Sequence, residues 1–322
     1  MYFSLSPGDM IVIGITADSE PVDVAPIVNR LRGGTPEAKE QAVHELFHAS
    51  RGPANQTAFA RAGAIPLLVE LLCDGPPDCK AKVAGALAYL AQSHDANKVA
   101  IGQAGGLSPL IELLRYGTPD GKSAASGALW YLSGNAEHQV AIPQAGGIAP
   151  LVQELSDGTP DGKKSAAATL WNLATEHEAN RLMIAQAGGI APLVQLLVDG
   201  RPDDKEQAAG AICHLVVDNG ANQVAVAEAG AIAPLVKLLG DGTPDARERA
   251  AEALRNLARF PLNLANQAAI AQAGGIAPLF KLAGTSASGG KLRALEALKV
   301  LTWENPENYL AVFGSAAPDP EK

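Results

Sequence analysis

The stretch QAGGIAPLVQLLVDGRPD, residues 186–203, decides the architecture because the chain contains it several times over. Related copies begin at residues 61, 103, 144, 228 and 272. Each copy keeps one glycine at the same place, and these marker glycines lie 41 to 44 residues apart: Gly63, Gly105, Gly146, Gly188, Gly230 and Gly274. A regular period of this length predicts a solenoid, in which each unit buries its apolar face only against its neighbours.

Each repeat is predicted to form three helices, called H1, H2 and H3. A short apolar stretch such as QVAVAEAG predicts H1, which ends at the marker glycine. The following APLVQLL places proline in a first turn and leucines at helical spacing, so it predicts an amphipathic H2. A Thr-Pro-Asp turn or its equivalent then begins a longer, alanine-rich H3 such as KKSAAATLWNLA. We expect the N-caps of the H1 helices to be Asn55, Asn97, Asn180, Asn222, Asn266 and Asn308.

The composition argues against several classes of protein. Hydrophobic residues make up 47% of the 322 residues and aromatic residues only 4%, which favours helices packed through small aliphatic side chains. A formal charge of -9 argues against a nucleic-acid partner, because phosphate contacts need clustered lysine and arginine. The apolar run IVIGI at residues 11–15 is too short to span a membrane. Three cysteines without metal-ligand spacing indicate a reducing compartment, so we expect a cytoplasmic or nuclear location and no cofactor.

These repeats resemble those of the armadillo repeat family over roughly residues 21–315, because the pattern xAGxIxPLVxLL followed by AAxALxNLA recurs in order. The resemblance implies an all-α fold, a right-handed superhelical solenoid of three-helix repeats. It also implies that the H3 helices line a concave groove that receives an extended segment of another protein. We divide the domain into repeats at about residues 21–53, 54–95, 96–136, 137–178, 179–220, 221–264 and 265–305, with a partial unit at 306–315. Residues 1–20 are predicted to be a lead segment and residues 316–322 a flexible tail.

Alignment of the H3 helices identifies candidate groove residues. Seven residues share the column where peptide-binding members of the family typically carry asparagine: His48, Tyr89, Tyr131, Asn172, His214, Asn256 and Val300. Asparagine suits this task because its amide both donates to and accepts from an extended backbone. Tyrosine and histidine can still form hydrogen bonds, whereas Val300 cannot. The regular asparagine clamp of nuclear import adaptors is therefore degraded here, and their tryptophan array one turn earlier is absent.

Trp130 and Trp171 lie one residue before this column, and Phe47 is the equivalent residue of the first repeat. Two interpretations remain open for these rings: they pack between adjacent H3 helices, or they form a central anchor for a partner. On the same predicted face lie Glu206, Glu248, Glu252 and Glu296. Together with the net charge, these carboxylates suggest a basic or mixed ligand toward the C-terminal half.

Residues 44–48 read HELFH, which matches the H-E-x-x-H motif of zinc metalloproteases. A catalytic zinc needs a third protein ligand, and the sequence confirms none. His48 belongs to the groove column and His44 lies one turn earlier, so their spacing follows from a shared helix face. Glu45 falls in a column otherwise filled by alanine or threonine, which suggests an incompletely covered end repeat. We therefore predict no metal site and no catalytic residue.

Three functions compete on this basis. The first is a non-enzymatic scaffold or adaptor that binds an extended protein segment through His48, Tyr89, Trp130, Tyr131, Trp171, Asn172, His214 and Asn256. The second is a section of a self-associating assembly, since the two ends of the solenoid are not obviously polar. The third, and the weakest, is a zinc hydrolase at His44, Glu45 and His48.

Overall fold

A computed structural model describes residues 22–259, 263–284, 288–303 and 305–314, and every regular element among them is helical. The predicted lead segment 1–20 and tail 316–322 lie outside these residues. The chain divides into two compact units, Met1–Leu173 and Ala174–Lys322, and each is considered by itself. No single described helix is long and apolar enough to cross a membrane, although three bent helix pairs meet the length and composition requirement together.

The described part of the first unit starts with an H2 and an H3 helix, α1 (Ala25–Gly33) and α2 (Pro36–Ala49). Three complete repeats follow in the order H1, H2, H3. They are α3 (Pro53–Arg61), α4 (Ala64–Asp74) and α5 (Pro77–Ala91); α6 (Asp95–Gln103), α7 (Leu107–Tyr116) and α8 (Pro119–Leu132); and α9 (Ala136–Gln144), α10 (Ile148–Asp157) and α11 (Pro160–Ala174). Among the described residues, the first predicted repeat, at about residues 21–53, therefore contains an H2–H3 pair.

The second unit continues the same order of helices. Its complete repeats are α12 (Glu178–Gln186), α13 (Ile190–Asp199) and α14 (Pro202–Leu215); α15 (Gly220–Glu228), α16 (Ile232–Asp241) and α17 (Pro244–Arg259); and α18 (Leu264–Gln272), α19 (Ile276–Ala283) and α20 (Ser288–Thr302). A last H1 helix, α21 (Pro306–Phe313), corresponds to the unfinished late copy. Leucine and alanine side chains from H2 and H3 form the core of both units.

The marker glycines have the backbone conformation expected of a glycine that ends a helix. All six have positive φ, between 75° at Gly146 and 84° at Gly230. This left-handed conformation lets the chain turn sharply from H1 into H2, and it costs a residue with a side chain about 1 kcal/mol or more. The recurrence of glycine at this one place therefore reflects a backbone requirement.

The prediction for the H1 N-caps is wrong by three residues. Asn219, not Asn222, caps α15, and its side-chain oxygen accepts from the backbone N–H of Asn222. Asn222 is buried inside the helix, where Nδ2 donates to the carbonyl of Leu215 at the end of the preceding H3, 2.8 Å away. The equivalent residues make the same bond to the preceding H3: Asn55 to Ala49, Asn97 to Leu90, Asn266 to Leu257 and Asn308 to Leu301. This column fastens H1 to the last turn of H3, whose carbonyls have no partner within their own helix.

His138 takes the place of asparagine in the third of these H1 helices. Its Nδ1 lies 3.0 Å from the carbonyl of Leu132, so the ring makes the same connection as the amide. The imidazole is larger than an amide, and it rests against Gly102 of α6, where an added Cβ would overlap Nε2. Gly102 therefore provides the space that His138 occupies.

Glu45 on α2 occupies the uncovered position that the sequence suggests. The other six members of its column, Ala86, Ala128, Thr169, Ala211, Ala253 and Ala297, are fully buried. Glu45 is exposed and accepts a hydrogen bond from Nη1 of Arg30 on α1, 2.9 Å away. That hydrogen bond lowers the pKa of the Glu45 carboxyl. The first repeat thus presents a charged pair where the later repeats present alanine or threonine.

Candidate functional site

The first H3 surface, formed by α2, α5, α8 and α11 of the first unit, is rich in aromatic rings. Phe47 and Tyr89 lie with their ring centroids 5.6 Å apart, and the Arg51 guanidinium lies 5.4 Å from the Phe47 centroid. Tyr89 is 8% exposed, and its burial raises the pKa of the phenol. His48 lies beside Phe47 on the exposed side of α2. Because Tyr89 is largely buried, it offers less to a ligand than the sequence suggests.

Phe47 packs between adjacent H3 helices, so the packing interpretation is confirmed for this ring. Its Cε2 lies 2.6 Å from where a Cβ on Gly85 of α5 would stand. Gly85 therefore admits the ring, whereas any larger residue would displace it. The glycine in this helix interior serves the contact between α2 and α5.

We expect Gly85→Ala and Gly127→Ala to change stability in opposite directions. Both glycines hold the same place in an H3 helix, where alanine is favoured over glycine by about 0.5–1 kcal/mol. Gly85→Ala should nevertheless destabilise the protein by about 1–3 kcal/mol, because the methyl group would overlap Phe47. Gly127→Ala should be stabilising, since the nearest atom to its Cβ would be Ser165 Oγ at 3.9 Å. Urea denaturation followed by circular dichroism measures both changes in the free energy of unfolding. The same sign for both would contradict the packing of Phe47 against Gly85.

Trp130 and Tyr131 form the centre of the first H3 surface. Their rings are stacked, with centroids 5.2 Å apart and an interplanar angle of 13°. Both side chains are half-buried, as are Trp171 and Asn172 on α11. Burial, and then the neighbouring Tyr89, raise the pKa of Tyr131, so its phenol stays neutral. Asn172 donates from Nδ2 to Ser133 Oγ, 3.0 Å away. These four residues keep part of their surface exposed, unlike the core leucines beneath them.

The second H3 surface, formed by α14, α17 and α20, carries its charges as internal ion pairs. Arg293 on α20 contacts Glu252 at 3.5 Å, Glu296 at 3.4 Å and Glu248 at 3.9 Å. Arg249 also contacts Glu252, and Arg255 contacts both Glu252 and Glu296. Three of the four carboxylates that suggested a basic ligand are therefore paired with arginines of the same surface. The fourth, Glu206, accepts from Thr243 Oγ1, and its burial raises its pKa.

Asn256 and His214 differ in their availability on the second H3 surface. Asn256 is 5% exposed, donates to the carbonyl of Cys213 at 3.1 Å and accepts from Arg255 at 3.0 Å. Its amide is thus committed to the contact between α14 and α17. His214 is half-buried, and burial lowers the pKa of its imidazole while Glu252 opposes that shift. Of the two, His214 has more surface left for a ligand.

The HELFH residues lie at the surface of α2. The His44 and His48 rings are 4.5 Å apart and both are exposed, as the shared helix face predicts. Glu45, which would serve as general base in a zinc protease, is paired with Arg30. Within the described part of the chain, no group of three or more histidine, cysteine, aspartate or glutamate side chains is placed to hold a metal ion.

Glu154 on α10 is a buried acid that motif reading overlooks. It is 4% exposed, and Oε1 has no hydrogen-bond partner. The carboxylate lies against Gly158 and Gly162, at the edge of a cavity of about 590 Å³ that Lys122 and Pro150 also line. Burial raises its pKa to about 7, although Lys122 and Lys163 oppose the shift. The sequence does mark this position, because the equivalent H2 residues of the other complete repeats are all leucine: Leu71, Leu113, Leu196, Leu238 and Leu282.

Comparison with known proteins confirms the resemblance of the repeats. Five consecutive segments match the model of the Armadillo/beta-catenin-like repeat, at residues 52–92, 94–134, 135–175, 177–217 and 220–259. These segments cover more than half of the chain. The chain belongs to the armadillo repeat family.

This armadillo chain is similar to several solved engineered proteins. One structural-genomics target described as an engineered protein is 30% identical with a TM-score of 0.82, over 91% of this chain and 71% of that one. A computationally designed armadillo repeat protein for modular peptide recognition is 27% identical with a TM-score of 0.66, over 73% and 99%. A designed armadillo repeat protein in complex with the peptide (KR)4 is 27% identical with a TM-score of 0.65, over 74% and 99%. No curated relative matches the chain.

Proposed function

We propose that this armadillo repeat protein is a non-enzymatic scaffold that holds an extended segment of another protein on its first H3 surface. The observation that carries the proposal is the half-buried stack of Trp130 on Tyr131, with Asn172 on the next H3 helix. Large rings of this kind provide contact area at little entropic cost, and an amide can pair with an extended backbone. The similar designed proteins that bind peptides support this use of the fold.

The second H3 surface is the poorer candidate for the main contact. Three of its four carboxylates are paired with arginines, and a basic ligand would have to displace those arginines to reach them. Such an exchange of partners gains little, because ion pairs at a partly exposed surface are worth about 1 kcal/mol or less. A partner that also reaches this surface is expected to contact His214 and the exposed edges of the ion pairs.

The test compares three forms of the full chain. The first form is the wild type. The first variant combines Tyr131→Ala, Trp171→Ala and Asn172→Ala. The control variant combines Ser108→Ala, Glu112→Ala and Gln153→Ala, which lie at exposed H2 positions. Each form is first checked for unchanged helical circular dichroism, then coupled to resin and exposed to cell extract. We expect partners found by mass spectrometry to be lost only from the first variant. The proposal fails if both variants retain the partners of the wild type.

Self-association remains a second candidate because α20 and the residues that follow it expose several apolar side chains. Leu295 on α20 is 48% exposed, whereas the equivalent residues Ala84, Ala167, Ala209 and Ala251 are fully buried. Trp303 and Leu310 nearby are also largely exposed. Burying the Arg30–Glu45 pair on α2 against the apolar side chains of α20 would remove water from both charges, which is costly. We therefore expect any self-association to join the α20 helices of two chains. Sedimentation of the wild type as a monomer at high concentration would rule this function out.

We also propose that the protein works in a reducing compartment, the cytoplasm or the nucleus. Cys73, Cys79 and Cys213 are free thiols, and the last two are buried. Burial raises the pKa of both buried thiols, which keeps them protonated and unreactive. Fractionation of cells that express the tagged full chain tests this location.

A further inference from the structure

Two neighbouring junctions of the first H3 surface are built alike but filled differently. Between α2 and α5, the ring of Phe47 covers Gly85 and lies beside Tyr89. The repeat register places Ala88, Gly127 and Tyr131 at the equivalent positions between α5 and α8. Glycine and tyrosine are kept at the second junction, but the ring that covers the glycine is replaced by a methyl group.

No aromatic ring therefore fills the space directly over Gly127. A Cβ on Gly85 would stand 2.6 Å from Phe47, whereas a Cβ on Gly127 would meet nothing closer than Ser165 Oγ at 3.9 Å. Gly127 and Ala88 are both half-buried, so the space reaches the surface and is not an enclosed void. We call it the Gly127 hollow: Ser165 Oγ on α11 lies at one side of it, and the repeat register places Ala88 and Tyr131, on which Trp130 is stacked, at its other sides.

We propose that the Gly127 hollow receives an aromatic side chain of the bound segment, in the way that Phe47 fills the space over Gly85. The proposal rests on the scaffold function proposed above and adds the chemistry of its ligand. The junction between α2 and α5 shows which group such a pair of H3 helices accepts: Phe47 is a flat ring that packs on a glycine beside a tyrosine. Aromatic rings also pack favourably against one another in tilted or offset arrangements.

The surroundings of the hollow disfavour a charged side chain. On α5, Gly85 and Ala81 lie one and two turns before Tyr89, and on α8 Ser123 lies two turns before Tyr131. None of these residues is ionised. Tyr89 and Tyr131 are neutral, because burial raises the pKa of both phenols. A lysine or arginine in the hollow would lose water and gain no carboxylate partner, only the face of an aromatic ring, whereas an aromatic side chain would bury apolar surface and pack against the same rings.

Ala88→Phe fills the hollow from within and provides a direct test. By the repeat register the new ring should lie over Gly127 as Phe47 lies over Gly85, so the thermal stability should be unchanged or higher. The matched control is Ala233→Phe, which adds the same ring at an exposed H2 position of α16. A phage library of random linear peptides is selected on the wild type, and the enriched peptides are synthesised and titrated against all three chains.

The expected result is a set of peptides that share an aromatic residue at one position and bind Ala88→Phe roughly tenfold or more weakly, as when an anchor residue loses its pocket. Ala233→Phe should bind them as the wild type does. Peptides that bind Ala88→Phe equally well, or that share only lysine and arginine, would overturn the inference but leave the scaffold function standing. A wild type that enriches no peptide would overturn both. A wild-type dimer that Ala88→Phe converts to a monomer would assign the hollow to a second copy of the chain instead.

Discussion

Replacing Glu154 with leucine should stabilise the protein by about 3 kcal/mol more at pH 8 than at pH 4. The reason is the buried carboxyl, whose pKa is about 7 in the folded chain against an ordinary value of 4.5. The folded state therefore favours the protonated carboxyl. As the pH rises from about 4.5 to about 7, the free energy of unfolding of the wild type decreases, because the carboxyl ionises in the unfolded chain before it does so in the folded one. Leucine has no proton to lose, and it is the residue at the equivalent H2 position of the five other complete repeats.

Urea denaturation of wild type and Glu154→Leu across this pH range measures the effect. Because long repeat arrays often unfold in stages, hydrogen exchange of the α10 and α11 amides should accompany it. Glu154→Gln should also remove the pH dependence, because it deletes the charge and keeps the shape. Glu70→Leu on α4 changes an exposed glutamate and serves as the control for net charge. An equal gain from Glu154→Leu at pH 4 and pH 8 would show that the carboxyl does not titrate as described.

Gly102→Ala is expected to destabilise the protein by about 1–3 kcal/mol, although alanine is normally the better helix former. The added methyl group would overlap Nε2 of His138, whose ring is 4% exposed and tied to Leu132. The imidazole cannot move aside without breaking that contact. In a His138→Asn background the smaller amide should leave room, and Gly102→Ala should then stabilise by about 0.5–1 kcal/mol.

A double-mutant cycle with Gly102→Ala, His138→Asn and the combination measures this coupling. Ala227, at the place in α15 that corresponds to Gly102, gives a control pair: Ala227→Gly should cost about the ordinary helix preference in either background. Additive effects of Gly102→Ala and His138→Asn would mean that the two residues are not in contact.

The sequence predicts the order of helices and the marker glycines well because both follow from local rules. A left-handed turn between H1 and H2 admits little besides glycine, and apolar residues at helical spacing define H2. The N-caps could not be chosen in the same way. Asn219 and Asn222 are both plausible caps by sequence, and only the packing of H1 against the preceding H3 shows that the second is buried.

The candidate site could be predicted only in part. The aligned column assigns Tyr131 and Asn172 to one surface by the register of the repeat, and both side chains are half-buried. The fate of Asn256 and the pairing of Glu252 depend on arginines whose reach crosses between helices, which no local pattern contains. The Gly127 hollow arises from the absence of a ring at Ala88, so it becomes visible only beside its filled counterpart at Phe47.

The contact between Gly102 and His138 also limits how this chain could be recombined. The two residues lie in successive H1 helices, so each is acceptable only when the other repeat stands next to it. At the place of Gly102 the other repeats carry Ala60, Pro143, Ala185, Ala227 and Ala271. A histidine at the position of His138 in the H1 helix that follows any of these residues would overlap a side chain in place of the space that Gly102 leaves. Shuffling, duplication or transplantation would therefore have to move the second and third H1 helices as one indivisible block.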